Sequence, residues 1–310
     1  MAFCGLARTL TGMTDLTDLA PLLERQFLRH GRETPIKGLL LNRAEGPSGI
    51  IRSVYGPSFC LVVQGAKLST LGPDTYRYRA GECLIASVDV PVSARIVEAS
   101  PAEPYLALSF ALPPEDVTAL VAEAEIAPAP AAPFTALAAG RADPSLCDPM
   151  RRLLECLDHP RDRSVLVPLI RRELVWRLLH SPLGAALAQM GARDSHGARV
   201  GRACAHIRAH YAQSLRVQDL ARLAGMSVPS FHRHFKAVTT MTPVQFQKLV
   251  RLQEARRRLM SAEEVASVGY AIGYESPSQF SRDYRRLFGH PPGRDGAAIR
   301  ARFAPEPALP

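Results

Sequence analysis

Between residues 35 and 112 the chain is cut into short apolar runs separated by Gly, Pro and Asp: IKGLLLNRAE, FCLVVQG, AKLSTLG, TYRYRAGECLIASVD, VSARIVEAS and PYLALSFAL. Short runs rich in Val, Ile, Leu and Tyr, bounded by turn residues, predict the strands of a sandwich or small barrel. TYRYRAG alternates Tyr76 and Tyr78 with Arg77 and Arg79, as in a strand with one exposed face. On either side of this block the apolar period becomes helical. LTDLAPLLERQFLRHG sets Leu16, Leu19, Leu22 or Leu23, and Phe27 on one face, within a helical lead-in over 1–34. After Pro113 and Pro114, EDVTALVAEAEI reads as a helix with proline ahead of it. The Ala/Pro-rich stretch 127–140 reads as an exposed connection. Helices follow in DPMRRLLECLDHP and in SVLVPLIRRELVWRLLHSPLGAALAQM. In the second of these, Leu169, Glu173, Trp176 and His180 trace one face and Ile170, Leu174, Arg177 and Leu178 a broader apolar one. The polar segment 191–198 is expected as a linker between domains.

The last third is helical throughout and contains a repeat. GMSVPSFHRHFKAV (225–238) and GYESPSQFSRDYRRLFG (273–289) share a skeleton of Gly, an apolar residue, Ser, Phe, and an aromatic four residues later followed by a base. Aligning Phe231 on Phe280 places Ser227 on Ser276, Phe235 on Tyr284, Lys236 on Arg285 and Pro243 on Pro292, always 49 residues apart. The shared residues are those a helix-turn-helix needs. Gly permits the tight turn, Ser caps the second helix, and Phe231, Phe235 and Val238 (or Phe280, Tyr284 and Leu287) form its buried stripe. Met226 or Tyr274 fills the angle between the helices.

The residues that differ lie on the opposite face, where a recognition helix would meet base edges in the major groove. On this reading Ser230, His232 and Arg233 in the first copy, and Ser278, Gln279, Ser281 and Arg282 in the second, contact bases. Arg233 and Arg282 occupy equivalent slots and suit guanine; Gln279 suits adenine. Lys236, Arg285 and Arg286 lie farther along and are assigned to phosphates. Pro229 stands where a longer side chain could reach a base, so that slot reads by shape or apolar contact. PVQFQKLVRLQEARRRLM between the copies predicts a rigid helix, started by Pro243 and striped with Phe246, Leu249, Leu252 or Ala255, and Leu259. Heads on one face of DNA would lie about 34 Å apart.

Charge supports this division. The 310 residues carry a net charge of +9. Residues 199–300 hold 17 Lys and Arg against 7 Asp and Glu, while the rest of the chain is close to neutral, so the excess sits on the repeat. Apolar residues make up 47% and charged residues 22%, which suits packed, water-soluble domains. No run is long enough to span a membrane, and the first residues lack a secretory signal, so a cytoplasmic protein is expected.

At these residues the sequence resembles the AraC/XylS family of bacterial transcription regulators. The resemblance is carried by the paired helix-turn-helices over 199–300, by GYAIGYESPSQFSRDYRRLFGHPP and by RLQEARRRLM. It implies sequence-specific promoter binding by a DNA head with two reading helices, with RNA polymerase as a candidate partner. The stretch YGPSFCLVVQGAKLSTLG…YRYRAGECLIASVDVPVSARIVEAS…PYLALSF resembles the N-terminal domain of one branch of the family, which implies a cupin-like β-barrel for sensing or dimerisation. The expected protein is a multidomain α+β chain. It has a sensing and dimerisation domain over 1–190 (barrel 35–112, helices 113–190), a DNA-binding domain over 199–300 and a tail over 301–310. An effector is expected in the barrel and a homodimer through the helices of 148–190. The alternative is a regulator whose barrel only dimerises and takes no ligand.

Other chemistry is weakly supported. A metal-dependent cupin enzyme needs clustered His and Glu, and no histidine lies between His30 and His159. Neither a G-x-S-x-G motif nor a C-x-x-C pair occurs, so no enzyme, cofactor or metal is expected. His206 and His210, four apart, lack a third ligand nearby in sequence and read as a solvated pair. His232 faces DNA, whereas His234 flanks the core. The cysteines read as buried thiols, with Cys60 and Cys83 as the alternative if a thiol senses electrophiles.

Overall fold

The computed structural model describes residues 16–126, 134–192 and 195–303. Helix α1 (Leu16–His30) leads into eight strands: β1 (Leu39–Ala44), β2 (Ile51–Tyr55), β3 (Ser58–Gln64), β4 (Ala66–Leu71), β5 (Asp74–Arg79), β6 (Glu82–Ala86), β7 (Val90–Glu98) and β8 (Tyr105–Ala111). A ninth, β9 (Leu137–Arg141), arrives later in the chain. They form two antiparallel sheets, ordered β1-β8-β3-β6-β9 and β2-β7-β4-β5. These sheets are the expected barrel. Alternation sorts their side chains. Leu39, Leu41, Phe59, Leu61, Leu108 and Phe110 point outward into a helical layer, while Val62, Tyr78, Leu84, Val90, Val92 and Tyr105 fill the space between the sheets. Tyr78 is buried and its hydroxyl lies 3.0 Å from that of Ser69, while Arg77 and Arg79 face solvent.

The helical layer comprises α1, α2 (Pro114–Glu123), α3 (Cys147–Glu155), α4 (Arg163–Leu179) and α5 (Gly184–Gly191). Leu19 and Leu23 of α1 are fully buried, and Gln26 beside them donates to Asp158 at 2.7 Å. Two expectations need correction. The stretch 127–140 is not wholly a connection, because Leu137–Arg141 pairs with β6 and closes that sheet's edge; its Ala and Gly suit a strand with little room above it. Residues 127–133 of that stretch lie outside the described residues. The long helix read from Ser164 to Met190 is broken over His180–Leu183. Pro182 has no amide hydrogen to continue the ladder, and a Cβ on Gly184 would lie 1.9 Å from the Leu179 carbonyl oxygen. In the segment 191–198, Gly191 ends α5, and α6 (His196–Ala209) starts on a Ser195 cap that accepts from the Ala198 amide at 2.9 Å. Residues 193–194 lie outside the described residues, as do 1–15 and 304–310.

The last third forms α7 (Val217–Leu223), α8 (Val228–Thr239), α9 (Pro243–Met260), α10 (Val265–Ala271), α11 (Pro277–Phe288) and α12 (Pro292–Phe303). The repeat therefore extends one helix beyond the expected pair. Pro292 opens α12 as Pro243 opens α9, and residues 301–303, assigned to the tail, belong to α12. Helix α9 spans both units. Its Phe246 and Val250 join Leu220, Phe231, Phe235 and Val238, while its Leu252, Ala255 and Leu259 join Val268, Phe280 and Tyr284. Because both faces of α9 are buried, it fixes one unit against the other.

The first unit is also continuous with the barrel. One buried cluster contains Val88, Val90 and Leu137 of the sheets together with Val200, Cys204, Phe231 and Phe235. The Ala136 amide donates to the Val238 carbonyl at 3.3 Å, and Arg208 on α6 pairs with Asp89 ahead of β7.

Candidate DNA-reading face

The two turns adopt the conformation that their glycines permit. Gly225 has φ 61° and Gly273 φ 89°. At Gly273 a Cβ would lie 2.0 Å from the Ala212 carbonyl oxygen, so both conformation and space require glycine there. The Ser227 hydroxyl then accepts from the Ser230 amide at 3.4 Å and the Ser276 hydroxyl from the Gln279 amide at 3.5 Å, which starts α8 and α11 alike. Below the helices the aromatic stripes interlock. Phe231 and Phe235 centroids are 5.4 Å apart, and Phe280 and Tyr284 centroids 5.6 Å.

The second unit adds a buried polar network. Asp295 of α12 takes Arg256 of α9 on both oxygens, at 2.9 and 3.2 Å, and accepts from the Tyr284 hydroxyl at 2.8 Å. Burial first, and the Asp295 carboxylate second, push the Tyr284 hydroxyl far above its usual range, so it stays a donor. Asp283, also buried, holds Lys248 at 2.6 Å. On α9, Arg251 donates to the carbonyls of Tyr211, Gln213 and Gly273 at 2.7 to 2.9 Å. The reading of the sequence missed these residues. Asp283 could have been found, because it falls on the buried phase of a stripe running from Phe280 to Leu287. Arg251 and Asp295 carried no such signal, since their partners are distant carbonyls and another helix. Part of the basic excess of this region is thus internal.

The remainder faces outward. His232, Arg233 and Lys236 on α8 are exposed, as are Ser278, Gln279, Arg282, Arg285 and Arg286 on α11; Ser230 and Ser281 are half-buried at the rim. Among the described residues no carboxylate pairs with Arg233, Lys236, Arg282 or Arg285, whereas Arg286 lies 3.8 Å from Asp283. Arg282, Arg285 and Arg286 border one shallow surface depression with Ser281. His234 is half-buried and stacks on His196 of α6 at 3.9 Å, as expected for a residue flanking the core. Rows of unpaired guanidinium and ammonium groups on the free faces of two helix-turn-helices suit a polyanion.

Two family models match this chain: the AraC-type transcriptional regulator N-terminus over residues 35–186 and a helix-turn-helix domain over 220–295. The chain belongs to the AraC family of transcription regulators. Within that family it is 26% identical over 162 residues to the HTH-type transcriptional activator RhaS of Escherichia coli O1:K1, a match that covers 50% of this chain and 58% of RhaS. The RhaS of Enterobacter sp. strain 638 matches at the same identity over 163 residues, 51% of this chain and 58% of that protein. The AraC-family architecture recurs in ToxT of Vibrio cholerae. An apo form aligns over 86% of this chain and 99% of its own with a TM-score of 0.54, and an unsaturated fatty acid bound form over 86% and 96% with a TM-score of 0.55, each at 8% identity. At that identity the likeness concerns the fold. This AraC-family chain thus joins an AraC-type N-terminal domain to a helix-turn-helix domain.

The other candidate chemistries find little geometry. The five described cysteines are free thiols. Burial pushes the Cys60 thiol up, with Lys67 only partly opposing it, and pushes Cys83 up to about 12, so neither has the thiolate character an electrophile sensor needs. The rings of His206 and His210 stack at 4.3 Å, and among the described residues no group of three His, Cys, Asp or Glu could hold a metal. No described helix is long and apolar enough to cross a membrane.

Proposed function

We propose that this regulator reads one bipartite promoter site with α8 and α11, and that a small molecule bound by its N-terminal domain controls the outcome. The observation that carries the first part is the equivalence of Arg233 and Arg282, exposed, without carboxylate partners among the described residues, and 49 residues apart on two helices that both start on a serine cap. Each offers a bidentate donor pair to guanine, while Ser230, His232, Ser278, Gln279 and Ser281 supply the remaining base contacts. Lys236, Arg285 and Arg286 hold phosphates and set the register. Continuity of the barrel with the first unit supports the second part, because a ligand that changes their packing changes how the two heads meet DNA. Fatty acid binding by ToxT, which shares the fold, is consistent with control by an effector. The exposed apolar stripe Val165, Leu166, Leu169 and Trp176 on α4 favours a homodimer through the helical layer. Selection of bound duplexes from a random pool by the full chain tests the reading. Recovery of a two-part site with a guanine in each part is expected, and no enrichment over the input pool would refute it.

A further inference from the structure

A cleft of about 860 Å³ opens between β2 of the barrel and α9 of the DNA head. Apolar side chains line both walls, Ile50, Ile51 and Val54 on one side and Val250 and Met260 on the other, interspersed with Arg208, which pairs with Asp89, and with the Arg257–Glu254 pair. Ile50, Ile51 and Met260 are exposed. Basic groups reach into the same space. Arg52 points from β2 toward the Phe288 ring, 5.7 Å from its centroid, and Arg256 stacks on that ring at 4.7 Å. Arg256 is matched by Asp295. Among the described residues, Arg52 and Arg32, both lining the cleft, have no ion-pair partner. Burial, then repulsion from Arg256, lowers the affinity of Arg52 for its proton, with the Asp295 carboxylate only partly opposing them. A second observation is independent of charge. Gln253 of α9 also lines the cleft, is only 9% exposed, and its buried Oε1 has no hydrogen-bond partner among the described residues. A buried amide of this kind is normally satisfied.

We infer that this cleft binds an organic anion with an apolar body, its acid group held by Arg52 and Arg32 and a polar group meeting Gln253. The volume lies within the range of small-molecule sites, and the apolar wall residues are joined by an excess of arginine that suits an anion. The inference rests on the effector control proposed above, but it moves the site from the barrel interior to the junction of the two domains. Its consequence is mechanical. One wall belongs to the sensing domain and the other to the helix that sets the two reading heads, so an occupant would stabilise this docked arrangement over any in which β2 and α9 separate.

The test uses the full chain and two fluorescent probes of similar shape: anionic 8-anilinonaphthalene-1-sulfonate and neutral N-phenyl-1-naphthylamine. One sulfonate per chain is expected to bind. Arg52→Gln should weaken it at least tenfold while changing the neutral probe less than twofold. Met260→Trp, which narrows the cleft without removing charge, should weaken both. Circular dichroism and binding to the selected duplex, measured in parallel, confirm that the variants are folded. Sulfonate affinity unchanged by both variants overturns the inference. If Lys67→Met inside the barrel abolishes binding instead, the cleft assignment fails while effector control survives. If no anionic probe binds the folded, DNA-competent chain, the cleft assignment fails and the DNA-binding reading stands.

Discussion

Thr240 and Gly289 close α8 and α11 in the same left-handed conformation, with φ 64° and 82°, at positions 49 residues apart. Only one of them is a residue suited to it. A β-branched side chain in that region is strained by about 1–2 kcal/mol, and the buried Thr240 hydroxyl has no hydrogen-bond partner among the described residues. A Cβ on Gly289 would meet nothing within 4 Å, so substitution there is purely a conformational matter. Gly289→Ala should therefore destabilise by about 1 kcal/mol, and Thr240→Gly should stabilise by up to a similar amount. Denaturant midpoints of the two variants check this. A stabilised Gly289→Ala would contradict it.

The second unit depends on Asp295 more than on any one of its partners. Asp295→Ala leaves the Arg256 guanidinium and the Tyr284 hydroxyl without their acceptor and should cost about 3 kcal/mol. Tyr284→Phe removes one donor while the Arg256 pair persists, and should cost about 1 kcal/mol. Thermal unfolding ranks the two; equal losses would mean that the tyrosine hydroxyl, not the ion pair, organises the network.

On DNA the two classes of cation should separate. Arg282→Ala is expected to lose about 1–3 kcal/mol at the selected site and to relax preference at one base pair. Lys236→Ala should weaken all duplexes comparably and reduce the salt slope by about one unit. Binding titrations at several salt concentrations decide. If Arg282→Ala weakened every sequence equally, Arg282 would be a phosphate contact.

His234 makes the docking of α8 on α6 sensitive to acid. Burial, then the adjacent His196 and Arg233, lower its pKa from 6.5, so the folded chain resists a proton that the unfolded chain accepts. Stability should therefore be flat above neutrality and decline as pH falls below 6.5, levelling once the lowered folded value is passed. His234→Gln should remove this part of the decline. Melting temperatures between pH 5 and 8 for the two proteins test it.

Leu169 and Trp176, the latter 44% exposed, lie on the outer face of α4 while Ile170 and Leu174 beside them are buried. If that face joins two chains, Trp176→Glu should convert a dimer to a monomer in sedimentation while changing the unfolding free energy of the monomer by no more than about 1 kcal/mol.

Much of this arrangement was legible in the linear chain, because it depends on local rules. The repeat in glycine, serine and aromatic positions determines turn, cap and buried stripe, and by elimination the exposed faces of α8 and α11 that carry Arg233 and Arg282. Alternation in TYRYRAG likewise determined which side of β5 is buried. What tertiary structure alone decided involves partners far apart in sequence. Leu137–Arg141 becomes a strand only because β6 offers an unpaired edge. Arg251 and Arg256 look like DNA-binding bases until α9 is placed against the carbonyls of Tyr211 and Gly273 and the carboxylate of Asp295. The cleft between β2 and α9 exists only once two domains meet. Periodicity records which side of an element avoids water; it does not record what waits on that side, since that depends on contacts closed over long stretches of chain.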